Sequence, residues 1–332
     1  MEVRVLPHGQ RLDVPQGENL LRALQQHGVP ISYSCMAGRC GTCRCRLLEG
    51  DVRPAGDDSA HAPINDDEQG GRALLACQSM VMGPCTIEIP EPDEVVVHPS
   101  RIVKGTVTAL ADLTHDIKLI RLAPSKPLSF SPGQYATLQF TPDHIRPYSM
   151  ARLPGDGELE FHVRMVPQGR VTGYIREQLK VGDTVRVSGP LGTSYLRTRN
   201  GDPILCIAGG TGLAPVLAIV RGAIAAGLSN PIHLYFGIRS PRDVYGLDWL
   251  NELAQRHPRL RIDVVSTETG SDRDLRTGLV TEAVAHDYAD LNGWRAHLCG
   301  APPMVEAATV LLRDRGIQAH HIYADAFYAS NA

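Results

Sequence analysis

Strand-like alternation opens the chain. Val3, Val5, Leu12 and Val14 sit at alternating positions of two short runs, the period of strands with one buried face, and Leu20, Leu21 and Leu24 then mark one helical face. Gly28, with Pro30 just beyond, predicts the helix stop. Residues 31–44 lose the pattern in a Cys- and Gly-rich loop, Asp51–Gly71 is polar and acidic, and residues 85–89 predict a closing strand. Short β runs follow: Arg101–Thr108, Ile117–Leu122, Tyr135–Phe140, Leu159–Val166 and Thr184–Ser188, with one helix at about Thr172–Leu179. Such spacing between Gly and Pro turns predicts an antiparallel barrel or sandwich. After residue 200 the rhythm changes. Strand runs (Ile204–Ala208, Ile232–Gly237, Arg261–Val265, Ala296–Cys299) alternate with helical ones (Pro215–Ala226, Leu247–Arg256, Thr277–Ala285, Met304–Arg315), which predicts βαβ units on a parallel sheet. No internal repeat is visible.

These shifts divide the chain into parts at 1–92, 101–200 and 201–332, joined by a linker at 93–100 in a Pro- and acid-rich stretch that favours extended backbone. Charge sharpens the division. Residues 1–100 hold 14 Asp+Glu against 8 Lys+Arg, and residues 101–332 hold 22 against 25. An acidic front on a slightly basic body suggests separate modules, and a net charge of −3 argues against nucleic acid as a partner. The 18 residues Pro203–Val220 carry no charge, close to the length of a membrane span. Gly209, Gly210, Gly212 and Pro215 interrupt them, so a buried strand, turn and helix is the better reading, with no membrane partner. No apolar signal-peptide core stands at the start, so the cytoplasm is the expected location.

Eight cysteines carry the first chemistry. Cys35, Cys40 and Cys43 stand in C-x4-C-x2-C spacing, with Cys77 34 residues further on, the plant-type [2Fe–2S] arrangement of thiolates. Gly38 and Gly41 let the backbone bend round an inorganic core and aim N–H groups at sulfur. Zinc fits less well, because zinc sites usually pair two close ligand steps. Cys45, Cys85 and Cys206 read as packed core residues. Arg146-Pro147-Tyr148-Ser149 offers a charge-assisted donor, an aromatic platform and a polar neighbour, the three things a flavin needs, although four residues alone are a weak signal. Gly169-Arg170-Val171-Thr172 opens a helix whose N-terminus suits an anion. Gly210-Thr211-Gly212 follows an apolar strand and opens another helix, a phosphate-type turn without the G-x-G-x-x-G fingerprint.

Together these segments resemble a known family. Ile31–Cys45, Phe130–Phe140, Arg146–Met150, Ala208–Val216, Leu298–Glu306 and His321–Tyr328 are similar to the ferredoxin–flavin–nicotinamide reductases that serve aromatic-ring dioxygenases, over essentially the whole chain. In detail they look most like the reductase components of naphthalene 1,2-dioxygenase systems. The resemblance implies a multidomain α/β protein: an N-terminal β-grasp ferredoxin domain, an antiparallel β-barrel FAD domain and a C-terminal parallel-sheet nicotinamide domain. It implies FAD, a [2Fe–2S] cluster on Cys35, Cys40, Cys43 and Cys77, and NADH or NADPH as donor. Arg146, Tyr148, Ser149, Gly169, Val171 and Thr172 would hold the flavin, with His162, Val163 and Arg164 lining its edge. Gly210, Thr211, Gly212, Cys299 and Gly300 would hold the nicotinamide dinucleotide. Ser149, Cys299 and Phe327 would stand at the reacting ring. Read alone, Cys299 could instead be a thiolate nucleophile, His162 a solvent-facing strand residue and Phe327 a core aromatic at a helix end.

Arg239 or Arg242 could meet a 2′-phosphate and Asp243 a free 2′-hydroxyl; with both signs present, NADH is preferred. The implied acceptor is a Rieske-type ferredoxin of a ring-hydroxylating dioxygenase. Delivery straight to a terminal oxygenase or di-iron monooxygenase is the alternative. A non-catalytic redox sensor would be favoured by damaged flavin or nicotinamide motifs, and both are present.

Overall fold

The computed structural model describes residues 1–33, 38, 43–55, 64–66, 71–90, 94–268 and 275–328. Two compact units divide the chain, Met1–Val95 and Val96–Ala332.

In the first unit, β1 (Glu2–Leu6), β2 (Gln10–Asp13), β3 (Glu18–Asn19), β4 (Arg44–Pro54), β5 (Ile64–Asp66), β6 (Arg72–Leu75) and β7 (Ser79–Glu88) form one mixed sheet around α1 (Leu20–Gln26). The order is β2-β1-β7-β4-β6-β5, with β3 also on β7. β1 and β7 pair in parallel, as a β-grasp requires, and the other pairings are antiparallel. Asn19 caps α1 by accepting the Arg22 N–H (3.2 Å), which frees the apolar face Leu20, Leu21 and Leu24 to pack on Val3, Val5, Val81 and Ile87.

The second unit begins with an antiparallel sheet of β8 (Arg101–Asp112), β9 (Ile117–Pro124), β10 (Tyr135–Thr141), β11 (His144–Ser149), β12 (Leu159–Arg164) and β13 (Thr184–Leu191), ordered β11-β10-β13-β8-β9-β12. An antiparallel bridge between Met150 and Phe161 joins its two edges, so the sheet closes on itself as a barrel around Val107, Ile120, Leu138, Phe161 and Val187. β8 runs past the expected Thr108 because a bulge between Val107 and Ala109 resets the register and lets pairing continue. β11 escapes a pattern reading because Pro147 lies in it, which an edge strand tolerates. α2 (Arg170–Glu177) starts two residues before the expected Thr172, since Gly169 is its N-cap.

A six-stranded parallel sheet completes the unit: β14 (Ile204–Gly209), β15 (Ile232–Ile238), β16 (Leu260–Ser266), β17 (Arg276–Thr277), β18 (Arg295–Gly300) and β19 (Ile322–Ala326), ordered β17-β16-β15-β14-β18-β19. α3 (Leu213–Ala225) and α4 (Leu247–Arg256) pack with Cys206, Leu234 and Phe236, whereas α5 (Val280–Asp287) and α6 (Pro302–Asp314) pack with Leu205, Tyr235 and Leu298. Both faces are therefore covered, as parallel sheets require. The uncharged stretch is β14, a Gly turn and most of α3; among the described residues no helix is long and apolar enough to cross a membrane. α5 starts later than expected, after Leu279, whose N–H donates to the Glu282 carboxylate at 2.8 Å.

Candidate active site and metal centre

The strand order of the parallel sheet sets the site. Succession runs outward from β14 toward β17 on one side and through β18 to β19 on the other, so the chain reverses direction between β14 and β18. Ligands of open α/β sheets bind at the carboxyl ends of strands at such a switch point. Ala208 and Cys299 are register partners there. The turn Gly210–Gly212 leaves β14 and leads into α3, whose first turn faces that edge. A Cβ on Gly212 would lie 2.0 Å from the Cys299 carbonyl oxygen, so only glycine lets the helix come this close to β18. Gly210 has φ +54°, in the left-handed region, and the Arg164 guanidinium lies 3.0 Å from where its Cβ would be.

The barrel brings Ser149 to the same place. At the end of β11 its hydroxyl donates to Asp325 Oδ2 at 3.2 Å, a contact between residues 176 positions apart. Asp325 lies on β19 as the register partner of Cys299. Burial pushes the Asp325 carboxyl up to about 6, against the lowering effect of the Ser149 hydrogen bond, although the residue is only partly buried. Burial also raises the Cys299 thiol well above its ordinary value, and Asp325 and Cys206 add to the effect. Cys299 is therefore a neutral thiol near pH 7, which removes the thiolate-nucleophile reading. Phe327 follows β19, with its N–H donating to the Gly300 carbonyl at 2.9 Å, so it does not end a helix. Asp325 is the residue that sequence reasoning passed over. Its signal was an acid among Ile322, Tyr323, Ala324 and Ala326 in a segment otherwise apolar.

On the barrel, Tyr148 is half-buried against the core and burial raises its phenol; Arg146, also half-buried, donates to the Ile145 carbonyl at 3.1 Å. Val163 and Val171 turn their side chains into the barrel core. The Thr172 hydroxyl donates to Val166 O (3.1 Å) and Gly169 O (3.3 Å) instead of capping α2, and no side chain caps that helix. Its first-turn N–H groups therefore remain for another acceptor, which fits a phosphate. His162 does not face solvent: it is buried, with Nε2 donating to Glu160 Oε1 at 3.2 Å and Nδ1 3.2 Å from the Tyr245 hydroxyl.

The residues considered for the 2′ position are differently engaged. Arg239 and Arg164 both pair with Asp116 Oδ2 at 3.2 Å, and Arg242 Nε lies 3.3 Å from His115 Nδ1. Asp243 is buried, and its Oδ2 accepts from both the N–H and the hydroxyl of Ser240 at 2.9 Å, so it serves the turn after β15 and is closed to a ribose.

In the first unit, Cys43 and Cys77 converge. Ala76 N–H donates to Cys43 O (3.0 Å), the short turn Ala76–Gln78 follows, and the Cys77 N–H points at Cys43 Sγ at 3.5 Å. Asn19 Nδ2 holds the Cys77 carbonyl at 2.9 Å, and Gln78 Nε2 lies 3.7 Å from Cys77 Sγ. Two sulfurs beside N–H donors are a donor set that suits an iron–sulfur group. Cys35 and Cys40 lie outside the described residues. Cys45, Cys85 and Cys206 are buried, and burial pushes their thiols to about 12, about 11 and about 12, as packed side chains.

Comparison with known proteins agrees with this layout. Residues 3–82 match a 2Fe-2S iron-sulfur cluster binding domain, 104–195 an oxidoreductase FAD-binding domain and 206–309 an oxidoreductase NAD-binding domain. These define an iron–sulfur flavoprotein oxidoreductase. The chain is 54% identical over 330 residues, 99% of both chains, to the ferredoxin–NAD(P)+ reductase component of the naphthalene 1,2-dioxygenase/salicylate 5-hydroxylase systems of Ralstonia sp.. It is 52% identical over 328 residues, again 99% of both, to the reductase component of the naphthalene 1,2-dioxygenase system of Pseudomonas putida. Among solved structures it is similar to the Amycolatopsis cytochrome P450 reductase GcoB, at TM-score 0.75 and 34% identity over 98% of both chains. The chain belongs to the family of ferredoxin–NAD(P)+ reductase components of bacterial oxygenase systems, which carry FAD and a [2Fe–2S] cluster.

Proposed function

We propose that this protein takes electrons from NADH or NADPH and delivers them to a Rieske-type ferredoxin that serves an aromatic-ring dioxygenase. The observation that carries the reading is the meeting of Ser149 with Asp325, beside Cys299, at the switch point of the parallel sheet. Held there, FAD would supply two-electron acceptance of hydride and a [2Fe–2S] group would supply single-electron transfer. The chain supplies binding, orientation and a dry crevice. Gly210, Thr211, Gly212 and Gly300 hold the dinucleotide against the α3 N-terminus. Arg146, Tyr148, Gly169, Val171 and Thr172 hold the flavin, with Val163 and Arg164 on the strand behind it. Ser149 and Asp325 place a hydroxyl and a carboxyl where a proton can be held, Cys299 stays a neutral thiol, and Phe327 closes the crevice. Cys35, Cys40, Cys43 and Cys77 hold the cluster. In this reading 1–92 is the ferredoxin domain, 93–100 the linker, 101–200 the FAD domain and 201–332 the nicotinamide domain, in a protein of the cytoplasm.

Cys77→Ser tests the order of electron flow. The variant should lose electron delivery to a protein acceptor and keep flavin bleaching by NADH; survival of both activities would overturn the order. A second reading, delivery straight to an oxygenase, is favoured by the likeness to a reductase named for cytochrome P450. Anaerobic stopped-flow mixing of NADH-reduced protein with a Rieske ferredoxin or with a terminal oxygenase separates the two, because only the true acceptor reoxidises it fast.

A further inference from the structure

A buried polar chain runs from the barrel into the nicotinamide-binding part, and none of the roles above uses it. Arg121 Nε on β9 donates to Glu160 Oε2 at 2.8 Å. Glu160 and His162 lie two apart on β12, with His162 Nε2 donating to Glu160 Oε1 at 3.2 Å. His162 Nδ1 faces the hydroxyl of Tyr245, which stands ahead of α4, at 3.2 Å, and that hydroxyl lies 3.3 Å from the Gly210 carbonyl oxygen. The His162 ring also stacks on Trp249 of α4 (5.8 Å between centroids), and the Arg221 guanidinium of α3 lies over Trp249 at 5.9 Å.

Proton counting says what this chain does. Burial lowers the His162 pKa against the raising effect of Glu160, so the imidazole is neutral, and its single N–H is used by the Glu160 carboxylate. Nδ1 is then an acceptor. Tyr245 has one hydroxyl proton and two acceptors in reach, His162 Nδ1 and the Gly210 carbonyl. That one proton is donated to the Gly210 carbonyl or shared with His162 Nδ1, so the hydroxyl sits between the Gly210 turn and the barrel, with the Arg164 guanidinium also against Gly210. A buried ion pair adds little stability over apolar residues of equal volume, and its best-attested use is to fix one geometry. The geometry fixed here is that of a glycine at φ +54°, at the mouth of a helix.

We propose that Tyr245, held by His162 and Glu160, is a positioning residue that fixes the Gly210 turn as the seat of the dinucleotide pyrophosphate. It sets the affinity for NAD(P)H and leaves the hydride step alone. This rests on the reading of the Gly210 turn as the dinucleotide site, and the test keeps the two apart. Calorimetry on the oxidised holoenzyme would measure the Kd of NAD+ and of ADP-ribose, which carries the pyrophosphate without nicotinamide. Tyr245→Phe should raise both Kd values by the same factor, about fivefold for one hydrogen bond. KM for NADH should rise equally, with kcat toward ferricyanide within about twofold. Glu160→Gln, which keeps the volume and loses the charge, should shift both Kd values the same way by a smaller factor, and it decides the matter if Tyr245→Phe does not fold. Unchanged Kd values, or a loss confined to kcat, would overturn the proposal. Weaker NAD+ binding with ADP-ribose unaffected would also overturn it, by placing Tyr245 at the nicotinamide end. If the unaltered protein binds no ADP-ribose, the dinucleotide reading itself fails.

Discussion

Glu160 and Asp325 are two acids set among apolar strands, one in the barrel and one in the parallel sheet, and burial pushes the pKa of both upward. They finish on opposite sides of the ordinary carboxylate value. Glu160 ends at about 2, because hydrogen bonds from His162 and Arg121 and the charge of Arg121 outweigh burial. Asp325 ends at about 6, because the Ser149 hydroxyl is a weaker counterweight. Burial thus sets the size of the problem and the partners set its sign. An acid locked in its ionised form holds geometry. An acid poised near neutrality can exchange a proton, which is the property expected beside a redox crevice.

Removing each partner set should expose this difference. Glu160→Ala leaves Arg121 and His162 without their acceptor. Breaking a buried pair costs about 3–5 kcal/mol, and the lower figure applies because the Arg121 side chain, 38% exposed, can rehydrate. The expected loss is about 3 kcal/mol in urea denaturation. A loss below about 1 kcal/mol would make Glu160 no firmer an anchor than a surface acid. Asp325→Asn keeps the shape and an acceptor for Ser149 but cannot ionise. Flavin reduction by NADH should slow by about tenfold, less than for general acid–base enzymes, because hydride transfer needs no protein base. Its pH profile should also lose the inflection near pH 6. A variant that keeps the inflection would assign it to another group.

The two regions also differ in how far their sequence could be read. Three of the four cysteines proposed to hold the cluster fall within nine residues, so that chemistry is local and shows in spacing. The parallel sheet was legible too, because its strands and helices alternate with the right periods, and helix α4 has the expected bounds Leu247–Arg256. The crevice was half legible. Arg146–Ser149, Gly210–Gly212 and Cys299–Gly300 stand out as short motifs, whereas Asp325 acquires meaning only when β19 pairs with β18 and the barrel delivers Ser149 to it. Tyr245 carries no sequence signal at all, since its hydroxyl matters through a carbonyl 35 positions away. His162 shows the same limit from the other side. An isolated histidine on a strand suggests a ligand or a surface residue, and only tertiary packing shows both ring nitrogens facing protein groups.

The smallest effect separates the two acids by sign alone. Glu160 has a folded value near 2 against about 4.3 unfolded, so its stabilisation is present above the unfolded value and lost as pH falls toward 2. Asp325 has a folded value near 6 against about 3.9 unfolded. Its contribution is full below the unfolded value and lost as pH rises through 6. Between pH 4 and 6.5, on this linkage, the two acids should be distinguishable at roughly one-unit steps. Glu160 is charged throughout in the folded state, and Asp325 gives up a proton it binds only there. Urea midpoints over that window should therefore rise for Asp325→Asn relative to the unaltered protein as pH increases, by less than a full proton's slope because Asp325 keeps some contact with solvent. Glu160→Gln should show the reverse trend at the acid end, its deficit shrinking as pH falls toward 4 because the unfolded chain takes up a proton that the folded Glu160 does not bind. Parallel curves for both variants would mean that the two carboxyls titrate alike, and the assignment of one as anchor and the other as proton-exchanging group would fall with them.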